Sequence, residues 1–346
     1  MTEAPTSHVV LRCDAHPSFG VGHLVRCLAL AQELLARGSR VTLLGGLGGI
    51  AWLERLVADS AVPVIPPADE IGSVCAQVVD LGADAVVLDG YHLQPALGEA
   101  LREAGVTVLA MVDGEFGAVQ EADVYIDQNL GAVPHTGGPD GSLALAGVEY
   151  AMFRDSVLDR RRTGTVPAHR PPRVLAVFGG TDPYDAARTV VPQVLDLGEP
   201  VELTVVAARE EVRTALAALP TGPGQTVHAI EPVADLAALA VEQDLAISAS
   251  GSSVWELLCL GVPTAVVCVA DNQRLGYEMT VAEGVVVPVG VLDDLRAQGS
   301  VPPGVRRLLT DTDHRADLAR RGRALVDGDG RARVSTALLN LTRRGH

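Results

Sequence analysis

Short apolar runs recur along this chain, and most lead through a turn into a stretch with helical spacing. The first, "HVVLRC" at 8–13, passes the glycine-bearing segment "FGVGH" and enters "LVRCLALAQELLARG", where apolar residues return every three or four positions. The pattern predicts strands near 8–13, 40–45, 62–65, 85–89, 106–112 and 123–127, with helices over 22–37, 50–59, 71–82 and 95–104. Strands alternating with helices at this spacing imply right-handed crossovers and a parallel sheet.

The rhythm then breaks. Residues 155–172, "DSVLDRRRTGTVPAHRPP", hold four Arg and three Pro without apolar periodicity, and read as a linker. The pattern restarts with predicted strands at 173–178, 201–207, 226–230, 244–248, 264–269 and 284–289, and two or three helices follow from 303. The expectation is an α/β protein of two Rossmann-like domains, 1–154 and 173–346. A ligand is expected in a cleft between them, at the carboxyl ends of both sheets.

Composition sharpens this picture. Of 346 residues 48% are hydrophobic and only 3% aromatic, so the cores must be built from Ala, Val and Leu, as suits buried parallel strands. The formal net charge is −16 and every fixed positive side chain is Arg, which argues against nucleic acid or an anionic membrane as partner. A small anion remains open, because helix N-termini bind phosphate without a basic surface. The five cysteines, at 13, 27, 75, 259 and 268, form no CxxC pair, and buried free thiols in a reducing cytoplasm are expected. No leader pattern opens the chain and no apolar run reaches the roughly 18 residues a membrane span needs.

Several nucleotide motifs are excluded. Gly20-x-Gly22 opens like GxGxxG, but Val25 holds the third position and no acid follows the second strand. A Walker loop needs Lys. The Asp-x-Asp triplets at 311–313 and 327–329 sit between predicted helices, where Asp caps or turns the chain. The strongest phosphate signal is Ser250-Gly251-Ser252-Ser253, between strand "DLAIS" and helix "VWELLCLG". Ser253 and Glu256 also have the spacing of a capping box, so this turn has a plain structural reading beside the functional one. A second glycine turn, "FGGTDP" at 178–183 with Gly179, Gly180 and Thr181, also ends a strand. Two such turns suit a diphosphate bearing a nucleoside. Glu256 can accept hydrogen bonds from a ribose diol, and the carboxamides of Asn272 and Gln273 can read sugar hydroxyls.

The stretches "RCDAHPSFGVGHLVRCLALAQEL", "VLDGYHL", "DQNLGA", "LAGVEYAMFR", "FGGTDP" and "SASGSSVWELLCLGVPTAVVCVADNQ" run in order from residue 12 to 273. Together they resemble the UDP-sugar hydrolases of the pseudaminic acid pathway and the related spore-coat polysaccharide proteins, distant relatives of the peptidoglycan N-acetylglucosaminyltransferase. The resemblance implies a GT-B fold, UDP-sugar as ligand and no cofactor. It implies that His23 is the catalytic histidine of a G-x-G-H turn that includes Gly22. It places the diphosphate at the "GGTDP" and "SGSS" turns, the ribose on Glu256 and the sugar near Asn272 and Gln273. Asp14, Tyr91 and Asn129 would line the site from the first domain, and backbone near 228–231 would read the base. Three positions depart from the family pattern: Tyr184-Asp185 replaces an expected Asn, the turn is GVGH rather than GTGH, and His16-Pro17 replaces small residues. These touch the substrate side.

At a helix N-terminus the uncharged imidazole is favoured, and His23 can take a proton from an attacking nucleophile, with Asp14 orienting the ring or touching a sugar hydroxyl. His16 and His92 show no metal-ligand spacing. The expected reaction is inverting cleavage of the anomeric C–O bond by water; the alternative is transfer of the sugar to a small acceptor such as a nucleobase, amino-sugar or aglycone. A 2-epimerase would place acids beside the sugar ring, a pair the motifs do not show, and a binding regulator would have little use for His23.

Overall fold

Two sheets, each entirely parallel, account for every strand of the computed structural model, which describes residues 7–16, 21–114, 116–164 and 168–342. Pro17, Phe19 and Gly20 of the opening motif lie outside the described residues.

The first unit is built from β1 (His8–Cys13), α1 (Gly22–Ala36), β2 (Arg40–Leu44), α2 (Ala51–Asp59), β3 (Val64–Ile65), α3 (Ile71–Asp80), β4 (Ala85–Asp89), α4 (Ala96–Glu103), β5 (Thr107–Met111), β6 (Val124–Asp127) and β7 (Leu143–Ala146). Its strands lie in the order β3-β2-β1-β4-β5-β6-β7. The chain therefore winds outward from β1 in one direction, returns, and winds the other way from β4. Helices leave opposite faces on either side of that reversal, which opens a crevice at the carboxyl ends of β1 and β4. Leu11, Leu28, Leu30 and Leu34 are fully buried, so α1 seals one face of the sheet with a continuous aliphatic stripe.

After the short α5 (Asp155–Leu158), the second unit repeats the scheme. It contains β8 (Arg173–Val177), α6 (Ala186–Leu195), β9 (Val201–Val206), α7 (Glu210–Ala217), β10 (Gln225–Ile230), α8 (Leu236–Val241), β11 (Leu245–Ala249), α9 (Ser253–Leu260), β12 (Thr264–Cys268), α10 (Arg274–Ala282), β13 (Val287–Val291), α11 (Leu292–Gln298), α12 (Pro303–Thr310) and α13 (Thr312–Leu325). The strand order is β10-β9-β8-β11-β12-β13, with the reversal between β8 and β11. Asp311 caps α13 through a hydrogen bond from the His314 N–H (2.9 Å), which accounts for the first Asp-x-Asp triplet.

The structure divides the chain differently from the sequence pattern. The units are 1–155 with 328–346, and 156–327. The last helix, α14 (Gly330–Thr342), belongs to the first unit: Val334, Leu338 and Leu339 share a core with Val9, Leu11 and Leu28. Gly330 is held against Ala151, where a Cβ would stand 2.1 Å from the carbonyl oxygen. Arg331 pairs with Asp155 (2.6 Å) and Glu33 (3.3 Å). Nor is the arginine-rich segment a free linker. Arg161 donates to the Cys259, Arg323 and Val326 carbonyls, and Arg162 to those of Val241 and Gln243, which ties it to the second unit. Leu338→Ala is accordingly expected to destabilise the first unit by about 2–4 kcal/mol, read by urea unfolding, with the second unit's transition unmoved. Among the described residues no helix is long and apolar enough to cross a membrane.

Candidate active site

The reversal in the first sheet positions the histidine. β1 ends at Cys13, which lies in register beside Asp89, the last residue of β4. α1 begins at Gly22, so His23 stands in its first turn, directly over this strand pair, and is buried. Its Nδ1 lies 2.7 Å from Asp89 Oδ1. Arg26 Nη2 also lies 3.0 Å from Nδ1, but a bare nitrogen lone pair would repel the carboxylate at the shorter distance, so the hydrogen is assigned to Nδ1, which donates it to Asp89. In the neutral ring this leaves the lone pair on Nε2.

Asp89 is the hub of the site. Arg26, one turn along α1 from His23, donates from Nε to Oδ2 and from Nη2 to Oδ1, both at 2.5 Å. Cys27 Sγ approaches Oδ2 at 3.6 Å. Burial pushes the Asp89 carboxyl up, but the Arg26 guanidinium and the His23 ring more than offset this and hold it well below the usual carboxylate range. The carboxylate against the His23 ring is thus Asp89 and not Asp14, for which orienting the ring or touching a sugar hydroxyl was expected. Asp14 faces elsewhere, accepting from Arg12 (2.5 Å), the Gly46 N–H (2.6 Å) and His92 Nε2 (2.5 Å). Burial opposes its ionisation, but these three donors keep its carboxyl well below the usual range.

Tyr91 and Asn129 do gather here. The Tyr91 ring stands edge-on to His23, with centroids 4.5 Å apart and planes at 90°, and its other neighbour is Phe116 at 4.4 Å. The Tyr91 hydroxyl donates to Asp113 Oδ2 (2.5 Å); burial and that carboxylate push its phenol well above the ordinary value, so it stays a donor. Asn129 Nδ2 donates to Asp113 Oδ1 (3.2 Å) and Asp127 Oδ1 (3.0 Å). Sequence reasoning did not identify Asp89, Arg26, Asp113 or Phe116. The H-x-x-R spacing of His23 and Arg26 and the strand-terminal position of Asp89 were the available signals.

In the second unit both glycine turns flank the sheet reversal, one after β8 and one after β11. Gly179 has φ +80°, a conformation that favours glycine. The buried Asp182 that follows is structural: its carboxylate accepts from the Ala186 and Ala187 N–H groups and so caps α6. Asp185, a departure from the family pattern, pairs with Arg209 at 2.7 Å. The N-cap of α9 is Ser252, without a side-chain cap bond, so Ser253 falls inside the helix and does not cap it. Gln273 folds onto this turn, its Oε1 accepting from Ser250 Oγ (3.3 Å) and the Val269 N–H (3.4 Å). Asn272 is exposed beside it, and Glu256 sits half-buried in the first turn of α9. Among the described residues no group of three His, Cys, Asp or Glu side chains could hold a metal ion.

No family model matches the chain. The spore coat polysaccharide biosynthesis protein SpsG of Bacillus subtilis is 24% identical over 343 residues, covering 96% of this chain and 98% of its own. Among solved structures, MurG of Acinetobacter baumannii has a TM-score of 0.66 at 19% identity, covering 96% of this chain and 99% of that one. A putative UDP-N-acetylglucosamine 2-epimerase from Listeria monocytogenes gives 0.62 at 14%, covering 98% and 97%. The glycosyltransferase SnogD from Streptomyces nogalater gives 0.58 at 16%, covering 96% and 99%. Along almost its whole length the chain is similar to SpsG, and its two parallel-sheet units give it the GT-B fold.

Proposed function

We propose that this protein is an enzyme that transfers a sugar from a UDP-sugar to an acceptor hydroxyl with inversion at the anomeric carbon. The observation that carries the reading is the His23–Asp89 hydrogen bond at the first sheet's reversal, which leaves Nε2 free to accept a proton. In the step, the acceptor oxygen forms a bond to C1 while the C1–O bond to the diphosphate breaks. The electron pair leaves with UDP, and the acceptor proton passes to His23 Nε2. Asp89 stabilises the imidazolium that results, as a positioning residue.

The second unit supplies the donor site. Main-chain N–H groups at Gly179–Thr181 and Ser250–Ser253 meet the diphosphate charge as the nucleotide departs. Glu256 takes the ribose diol, and Asn272 with Gln273 the sugar hydroxyls. A glycosyltransferase such as SnogD shares the fold, which favours transfer. The resemblance to sugar-nucleotide hydrolases keeps water as the second reading for the same base.

A panel of UDP-sugars, incubated with and without alcohols and followed for UDP release, tests the proposal. Release that requires an acceptor and yields its glycoside supports transfer; release in water alone supports hydrolysis; a C2 epimer as product, or binding without release, overturns both. Glu256→Ala is expected to weaken UDP binding about tenfold, measured by calorimetry, through loss of a charge-assisted bond to the ribose.

A further inference from the structure

Beside the Tyr91 ring lies a cavity of about 240 Å³, walled by Leu88, Tyr91, Leu93, Met111, Phe116 and Val119. It opens at the carboxyl edge of the first sheet, and three of these side chains are solvent-exposed there: Tyr91 at 37%, Phe116 at 50% and Val119 at 59%. Apolar side chains grouped around a concavity next to reactive groups mark a binding surface.

Two polar side chains of the wall are held by the protein itself. Gln120 accepts from the Gly98 N–H (2.9 Å) and donates to the Gln94 carbonyl (3.0 Å), and the Tyr91 hydroxyl is held by Asp113. The wall is fixed by Gly117, at φ +75°, where a Cβ would stand 1.9 Å from the Met111 carbonyl oxygen. Tyr91, itself part of the wall, touches both Phe116 and His23, so the cavity is one ring contact from the imidazole.

We infer that this cavity seats the apolar body of the acceptor, and that the acceptor is an alcohol or phenol carrying an aromatic or branched aliphatic group, not a second sugar. The inference rests on the transfer reading above and uses the same step: the hydroxyl attacks C1, its proton goes to His23 Nε2, and UDP leaves with the bonding pair.

The probe is 4-methylphenol, compared with methyl glucoside as a hydrophilic acceptor. With 13C-methyl-labelled protein, 4-methylphenol is expected to shift the Met111 and Leu93 methyl resonances saturably, and to be glycosylated when a turned-over UDP-sugar is present. Phe116→Ala and Val119→Asp, both at exposed positions, should each raise its KM at least about tenfold relative to methyl glucoside. If the methyls do not move at millimolar probe, or the KM ratio is unchanged in both variants, while UDP release still requires methyl glucoside and yields its glycoside, the inference falls and the transfer reading stands. If the wild-type protein releases no UDP with any acceptor, or releases it equally in water alone without forming a glycoside, the transfer reading falls and takes the inference with it.

Discussion

Replacing His23 by alanine is expected to slow UDP release about a thousandfold while leaving the affinity for UDP within roughly a factor of two. A positioned general base contributes about a hundred- to ten-thousandfold, and His23 Nε2 is the proton acceptor its hydrogen bonding leaves open. The proposed nucleotide contacts all lie in the second unit, so UDP binding measured by calorimetry should not follow the loss of turnover. His23 is buried and packs on Tyr91, so the alanine variant needs a companion that fills the space. His23→Gln supplies an amide of similar reach without a basic nitrogen. Both variants should lose turnover, and both should retain the wild-type near-ultraviolet circular dichroism. Loss of UDP affinity in step with kcat would show that His23 binds the nucleotide and does not act as base.

The fold was legible because parallel α/β units write themselves plainly: aliphatic strands, amphipathic helices and glycine turns in strict alternation. What escaped had weak local signals. β7 is "LALA" between Gly141 and Gly147, four residues without a β-branched side chain, and tertiary pairing with β6 alone makes it a strand. β13 falls at 287–291, later than its apolar run begins; Val285 and Val286 are buried in a bend ahead of the strand. α14 follows the second unit in sequence, but its Val334–Leu338–Leu339 face fits the first unit's core, and periodicity along one helix does not say which core receives it.

The site was half legible for a related reason. His23, Tyr91 and Asn129 stand in motifs, and the structure brings them together through Asp113. Asp14 looked like the partner of His23 because it follows β1 directly, yet the chain there turns toward Gly46 and His92. Asp89 is 66 residues from His23 in sequence, and only the strand order, with β4 beside β1, makes them neighbours.

That neighbour relation sets the other large effect. Asp89→Asn is expected to lower kcat by up to about ten-thousandfold, because an amide facing Nδ1 can donate to it and so reverse the tautomer, placing the hydrogen on Nε2 where a base needs a lone pair. It should also cost about 3–5 kcal/mol of stability, since the buried Arg26 guanidinium loses the carboxylate that compensates it. The two losses separate by pH. In the folded chain, burial raises the Asp89 carboxyl but Arg26 lowers it further, so its folded value lies below the unfolded one of about 3.9. A group depressed in the folded state lends stability that is fully present above the unfolded value and is lost as pH falls toward the folded one. Urea unfolding at pH 7 should therefore show the full gap between wild type and Asp89→Asn. At successive pH values below about 4 the wild type should lose stability faster than the variant, and the gap should narrow. A gap that stayed constant down to the acid transition would mean that Asp89 does not carry its charge against Arg26, and the oriented imidazole would lose its physical basis.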